Sequence, residues 1–266
     1  MLVLAAMRQF FSQFPVFLRR HSSIAIAFGF ALLFFLIQFS FINDYGVSWD
    51  EPLHRNWGKI FHYFLRTGDR RLLELMPGHG IDYGPVYYFV NFLLSEKLYA
   101  AHLFSFVAAN HLLNLITASV AVFFLFLLAE SFCRRRIAFL SVLFFMFFPQ
   151  FLAHAHYNPK DIPLLTSVLI TATVFERALR SGKRSLFCLT GFFLGISIAL
   201  KVSAILMLPA FVAAYAMQVR SRIEPVPMRE VCATVFFVAF SVIVGVIVAW
   251  PSAWGDLSLI PQSFLF

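Results

Sequence analysis

Charge is what this chain has least of. Asp, Glu, Lys and Arg together make 13% of its 266 residues, hydrophobic residues make 61%, and mean hydropathy is +0.81. A water-soluble domain of this length cannot cover its surface with so few charges, which excludes an ordinary soluble enzyme or adaptor. Cysteine is scarce as well. Cys133, Cys188 and Cys232 are an odd number with no metal-ligand spacing, so neither a disulfide framework nor a zinc site is indicated and free thiols are expected. Acid is scarcer than base, 13 residues against 21, for a formal charge of +8. The Lys and Arg residues cluster at the ends of apolar runs, where they orient membrane helices, so the excess charge does not indicate nucleic-acid binding. A cleavable leader is missing too: the apolar stretch 1–18 ends in Arg19-Arg20-His21 without a basic start or a small-residue cleavage site. Residues 1–21 are expected to form an amphipathic cytoplasmic segment, followed by an uncleaved anchor.

Phenylalanine is what the chain has most conspicuously, 36 residues in all. Apolar windows near the roughly 20 residues needed to cross a bilayer fall at 22–42, 103–129, 137–156, 163–179, 186–202, 204–219 and 231–250. The expected fold is all-α, a polytopic bundle of about seven spans. The segment 84–99 is too short on its apolar side to be assigned by length, and charge decides it. If it stays on the outer surface, Arg8, Arg19, Arg20, Arg134, Arg135, Arg136, Arg177, Arg180, Lys183, Arg184, Arg220, Arg222 and Arg229 all fall inside, 13 of the 21 basic residues. If it spans, most of them fall outside. The positive-inside rule selects the first arrangement, a multi-pass plasma (inner) membrane protein with a cytoplasmic N-terminus.

That topology places 9 of the 13 acidic residues and six of the eight histidines on the outer side. The outer loop 43–102 is too long and too patterned for a connector. Leu53, Trp57, Ile60, Phe61, Phe64 and Leu65 recur at helical spacing, predicting an interfacial helix over 52–66. Pro77-Gly78-His79-Gly80 then breaks the chain before a second, Tyr-rich helix over 83–99. Residues 22–266 are expected to form one transmembrane domain.

Four segments put polar residues where inert membrane helices would not. They are "SWDEPLH" (48–54), "HGIDYGPVYY" (79–88), "FPQFLAHAHYNPKDIPLL" (148–165) and "GISIALKVSAILMLP" (195–209). In this order and spacing they resemble the GT-C superfamily of membrane glycosyltransferases, especially relatives of the protein O-mannosyltransferases and the aminoarabinose transferase. In the resemblance Asp50-Glu51 matches an acidic pair in the first outer loop, 85–88 an aromatic interfacial helix, Asp161 an acid of the second outer loop, and Lys201 a basic residue before a Pro-containing span. The chain departs at Gly84, where a charged residue or a second Pro is common, and at Val202-Ser203, where Tyr-Ser is more familiar. It also ends where family members usually continue, so the C-terminus is expected to be incomplete.

The resemblance implies transfer of a sugar from a polyprenyl-phosphate donor to an acceptor on the outer side of the plasma membrane. A phosphate leaving group is already a stable anion, so one base and nearby cations suffice. Asp50 is the expected base, Glu51 and Asp161 supporting carboxylates, and Lys201, Lys160 and Arg55 the candidates for the donor phosphate. The acceptor, whether lipid, glycan or protein, is left open. No particular cofactor is indicated, and a divalent metal is compatible with the site: His154, His156, His79 and Asp82 are candidate ligands, although His-x-His lacks a third fixed partner. Plainer roles stay open: Asp50-Glu51 as a cap on the following helix, Lys160-Asp161 as a loop pair, and Lys201 as a snorkelling span-end lysine. Two other functions also stay open. A transporter or flippase subunit should carry ionisable residues near mid-span, where only Asn110, His111 and Asn114 form a conspicuous polar group. A truncated, inactive membrane scaffold would fit the early end.

Overall fold

The structure is a computed structural model that describes residues 22–76, 80, 83–222 and 226–255. Among them there is helix and no strand, as the composition requires: in hydrocarbon every backbone polar group must be satisfied within its own segment or a closed barrel. The expected segment 1–21, and also His79, Asp82 and Asp256, lie outside the described residues.

Helix α1 is Ser22–Ser40. The loop after it leads to α2 (Glu51–Thr67), the short α3 (Arg71–Glu74) and α4 (Val86–Ala100). The rest of the bundle is α5 (Phe106–Phe132), α6 (Arg135–Met146), α7 (Pro149–Tyr157), α8 (Asp161–Ser181), α9 (Arg184–Leu200), α10 (Met207–Ser221) and α11 (Met228–Ala249). A 3₁₀ turn, Val202–Leu206, precedes α10, and another, Pro251–Gly255, follows α11. Among the described residues five helical segments are long and apolar enough to cross a membrane: α1, α5, α8, the 3₁₀ turn joined to α10, and α11. The pair α6 and α7, bent by 62°, supplies a sixth, and the shorter apolar α9 fills the remaining expected window. The bend falls at Pro149, which lacks an N–H and holds the preceding Phe148 in an extended conformation (φ −69°, ψ 117°). Helix α4, at 15 residues, is not among the span candidates.

One apolar core joins α1 to α5, α6 and α7. Phe34 stacks on Phe151 with ring centroids 5.1 Å apart, and Phe126, Ala138 and Val142 close around them. A second, smaller core fastens α2 to α4 through Trp57, Phe61, Leu73, Met76 and Tyr88. The two helices can meet there because position 58 is glycine: a Cβ would lie 2.3 Å from the Tyr88 carbonyl oxygen. On the other flank α9 and α11 approach through Gly191, Gly195 and Gly245, where small residues let membrane helices come together without a hydrophobic drive. Much of the remaining phenylalanine faces outward. Phe144, Phe147, Phe148, Phe236 and Phe240 are more than half exposed, as lipid-facing residues of a membrane bundle should be.

Candidate active site

The polar segments of the sequence meet at one end of the bundle, the end that carries α2 and α4. The backbone there is held by residues that sequence reading had assigned to mid-span. Glu51 is buried, with 3% of its side chain exposed. Its Oε1 accepts from Asn110 Nδ2 at 3.0 Å and from His111 Nε2 at 2.7 Å, and its Oε2 accepts from the Ser48 N–H at 2.5 Å. Asn110 in turn accepts from Asn91 Nδ2 of α4 at 3.1 Å. A buried carboxylate is tolerated when its lone pairs are matched by donors, and this one ties loop, α2, α4 and α5 together. Asn114 does the same for α7, donating to the carbonyls of His154 and Ala155 while accepting from the Tyr87 hydroxyl. The three mid-span polar residues are therefore braces for this end of the molecule.

Asp50 is half-buried and its Oδ1 accepts from Ser48 Oγ at 3.0 Å. It occupies the N-cap position of α2 but makes no side-chain capping bond. The neighbouring acids thus differ in kind: Glu51 has both oxygens engaged by donors, whereas Asp50 keeps lone pairs unused among the described residues.

Asp161 is the first residue of α8, but its helix start is capped by Asn158, whose Oδ1 accepts from the N–H groups of Lys160 and Asp161. This leaves the Asp161 carboxylate for other partners: Lys201 Nζ at 3.0 Å and Asn158 Nδ2 at 3.1 Å. Lys201 reaches it because α9 stops one residue earlier, and Lys201 itself is extended (φ −159°, ψ 120°) before the 3₁₀ turn. Lys160 Nζ stands 4.0 Å over the Tyr83 ring, a cation–π contact. Gly84, next in sequence, donates its N–H to the Ala199 carbonyl at 2.8 Å, and a Cβ there would fall 2.5 Å from the Ala249 carbonyl oxygen. A larger residue cannot occupy this wedge, which accounts for the departure from the family pattern at that position.

His54 sits among these groups. It is 5% exposed, stacks on Tyr88 with centroids 5.2 Å apart, and its Nδ1 is buried without a hydrogen-bond partner among the described residues. Burial holds the imidazole below its ordinary pKa, and Lys160 adds to that, while Asp50, Asp161 and Glu51 act in the opposite direction. The Tyr88 hydroxyl is held well above the ordinary range, chiefly by burial, with Tyr83, Asp161, Tyr87 and Asp50 contributing. Asp50, Asp161 and Lys160 thus lie close enough to act electrostatically on one buried histidine, with Lys201 joined to Asp161.

Arg55 stands apart from this group. Its guanidinium bonds Ser95 Oγ at 2.8 Å, pairs with Glu96, and lies 4.4 Å from the centre of the Phe106 ring. Of the candidate metal ligands, the two described ones, His154 and His156, do not converge either. His154 Nδ1 accepts from Asn158 Nδ2, whereas His156 is buried under Tyr45 at a centroid distance of 3.8 Å, with its ring nitrogens near the carbonyls of Gln38 and Leu152. Among the described residues no three His, Cys, Asp or Glu side chains are grouped to hold a metal. Sequence reading missed His54, Asn158 and Tyr83 as site residues, although all three lie inside or beside the segments it singled out.

The described residues thus form a multi-pass helical bundle with acids, lysines and aromatic residues gathered at one end. The family of dolichyl-phosphate-mannose-protein mannosyltransferases matches residues 92–245, more than half of the chain, and the chain belongs to that family, which is of the GT-C type. The matched residues include Asp161, Lys160, Lys201 and the Asn110–His111–Asn114 braces, while Asp50 and Glu51 lie before them. No curated protein and no solved structure matches the chain.

Proposed function

We propose that the protein transfers a sugar from a polyprenyl-phosphate donor to an acceptor hydroxyl on the outer side of the plasma membrane, with Asp50 as the base. The observation that carries this reading is the gathering of Asp50, Lys160 and the Asp161–Lys201 pair about His54 at one end of the bundle. In the proposed reaction the acceptor oxygen gives its proton to Asp50 and bonds to the anomeric carbon. The bond from that carbon to the phosphate oxygen breaks, and polyprenyl phosphate leaves with the electron pair. Lys201 and Lys160 are the cations placed to stabilise it, since charge develops on the phosphate as the bond breaks. The Asp161–Lys201 pair is 46% and 38% exposed, a setting in which ion pairs are worth about 0–1 kcal/mol, so Lys201 can turn toward a phosphate at little cost. Asp161 then serves to hold the ammonium in place while the site is empty. The proposed orientation rests on the clustering of basic residues at the opposite end.

Donor binding tests the assignment of Lys201. With purified protein in lipid nanodiscs, Lys201→Ala is expected to bind a polyprenyl-phosphate sugar more weakly and Lys201→Arg to keep part of the affinity, because both cations can contact phosphate. Equal binding by wild type and Lys201→Ala would make Lys201 a lysine that only snorkels at a span end.

A further inference from the structure

The first turns of α2 separate two polar environments. Asp50 and His54 belong to the cluster with Lys160 and Asp161, while Glu51, Arg55, Asn56 and Lys59 recur along a different side of the helix. That side forms, with the start of α5, a cleft of about 200 Å³ walled also by Val47 and Phe106. The space is below the roughly 300–1,000 Å³ of sites for drug-sized ligands and suits a single ring.

We infer that this cleft binds one sugar ring of the acceptor, so that the acceptor hydroxyl is a carbohydrate hydroxyl. The inference rests on the glycosyl-transfer reading above and names its second substrate. The Asn56 amide and the Lys59 ammonium make no side-chain hydrogen bond or ion pair among the described residues, so they offer donors and an acceptor to hydroxyl groups. Phe106 and Val47 give apolar surface for the C–H face of a ring, and the guanidinium of Arg55 is already fixed over Phe106 by Ser95 and Glu96. The carboxylate of Glu51 lines the cleft, and its engagement by His111 and Asn110 keeps it there. Glu51 is occupied by these donors, so the hydroxyl groups of a ring find their partners in the Asn56 amide and the Lys59 ammonium. An extended peptide needs a groove along its main chain rather than a pocket of this size.

The test uses methyl and octyl glucosides and mannosides as probes on the full chain in nanodiscs, read by saturation-transfer NMR, with labelled polyprenyl-phosphate sugar binding measured in parallel. The expected result is glycoside binding by wild type that falls about tenfold or more in Asn56→Trp, which fills the cleft, while donor binding is retained. Lys59→Trp fills the same space and is the second variant should the first not fold. Tighter binding of the octyl than the methyl compounds would identify a lipid-linked sugar as the source of the ring, and equal binding a soluble glycan. Wild type that binds donor but no glycoside, or glycoside binding unchanged in both filled variants, would overturn the inference. So would binding of a Ser/Thr peptide, competed by neither glycoside. Loss of donor binding in wild type would count against the glycosyl-transfer reading itself, and the glycoside measurement would still decide the cleft.

Discussion

At the scale of single residues, the molecule separates two adjacent acids by what their oxygens touch. Glu51 is surrounded by donors from Ser48, Asn110 and His111 and acts as a brace, whereas among the described residues Asp50 has only Ser48 Oγ and remains available as a proton acceptor. His54 adds a pH dependence to the same region. Its pKa in the folded protein lies below the ordinary 6.5, so below that pH the unfolded chain binds more protons than the folded one. The resulting stability is therefore present above about pH 6.5 and is lost as pH falls through the lowered value. Thermal unfolding between pH 7.5 and 5 should show a falling midpoint, and His54→Gln should fall less over the same range. An equal fall in both proteins would remove His54 as the source.

At the scale of elements, the site depends on how closely helices approach. Gly195 of α9 faces Gly245 of α11: a Cβ on Gly195 would lie 2.2 Å from the Val242 carbonyl oxygen and 2.9 Å from the Gly245 Cα. Gly195→Leu forces the two helices apart and should cost about 1–3 kcal/mol or more in thermal or denaturant unfolding. Because α9 ends at Lys201, the same substitution should also weaken binding of a polyprenyl-phosphate sugar; unchanged stability and donor binding would show that the contact is not needed. Most elements were legible in the sequence, since hydropathy over about 20 residues and helical periodicity in 52–66 report length and face directly. The bend within 137–156 was not, although Pro149 marks it, because an apolar window is insensitive to direction. The site was legible in part. Asp50, Lys160, Asp161 and Lys201 stood out as charges at the ends of apolar runs, but ownership of their hydrogen bonds did not. That Asn158, rather than Asp161, caps α8 is a local choice between two neighbouring side chains that periodicity does not report, and that Arg55 is held by Glu96 and that Asn110, His111 and Asn114 serve the loop end are consequences of packing between segments 40 or more residues apart.

At the scale of the whole molecule, the apolar helical segments among the described residues, together with α2 and α4, place the proposed chemistry at one end and the basic clusters at the other. Reporters fused after Arg136, Arg184 and Arg222 should read as cytoplasmic, and reporters after Asp69 and Asn158 as external. A cytoplasmic signal at Asn158 would place Asp161 and Lys201 on the inner side and contradict outer-face transfer. Membership of the mannosyltransferase family joins this architecture to sugar transfer, and the arrangement about His54 is the proposed machinery for it. The most direct measurement is the rate of sugar transfer from a polyprenyl-phosphate donor by wild type and Asp50→Asn in lipid, with thermal unfolding as the folding control. Loss of a general base lowers turnover by about 10²- to 10⁴-fold, so a folded Asp50→Asn protein should lose that much activity. A folded Asp50→Asn protein that transfers at the wild-type rate would contradict the account.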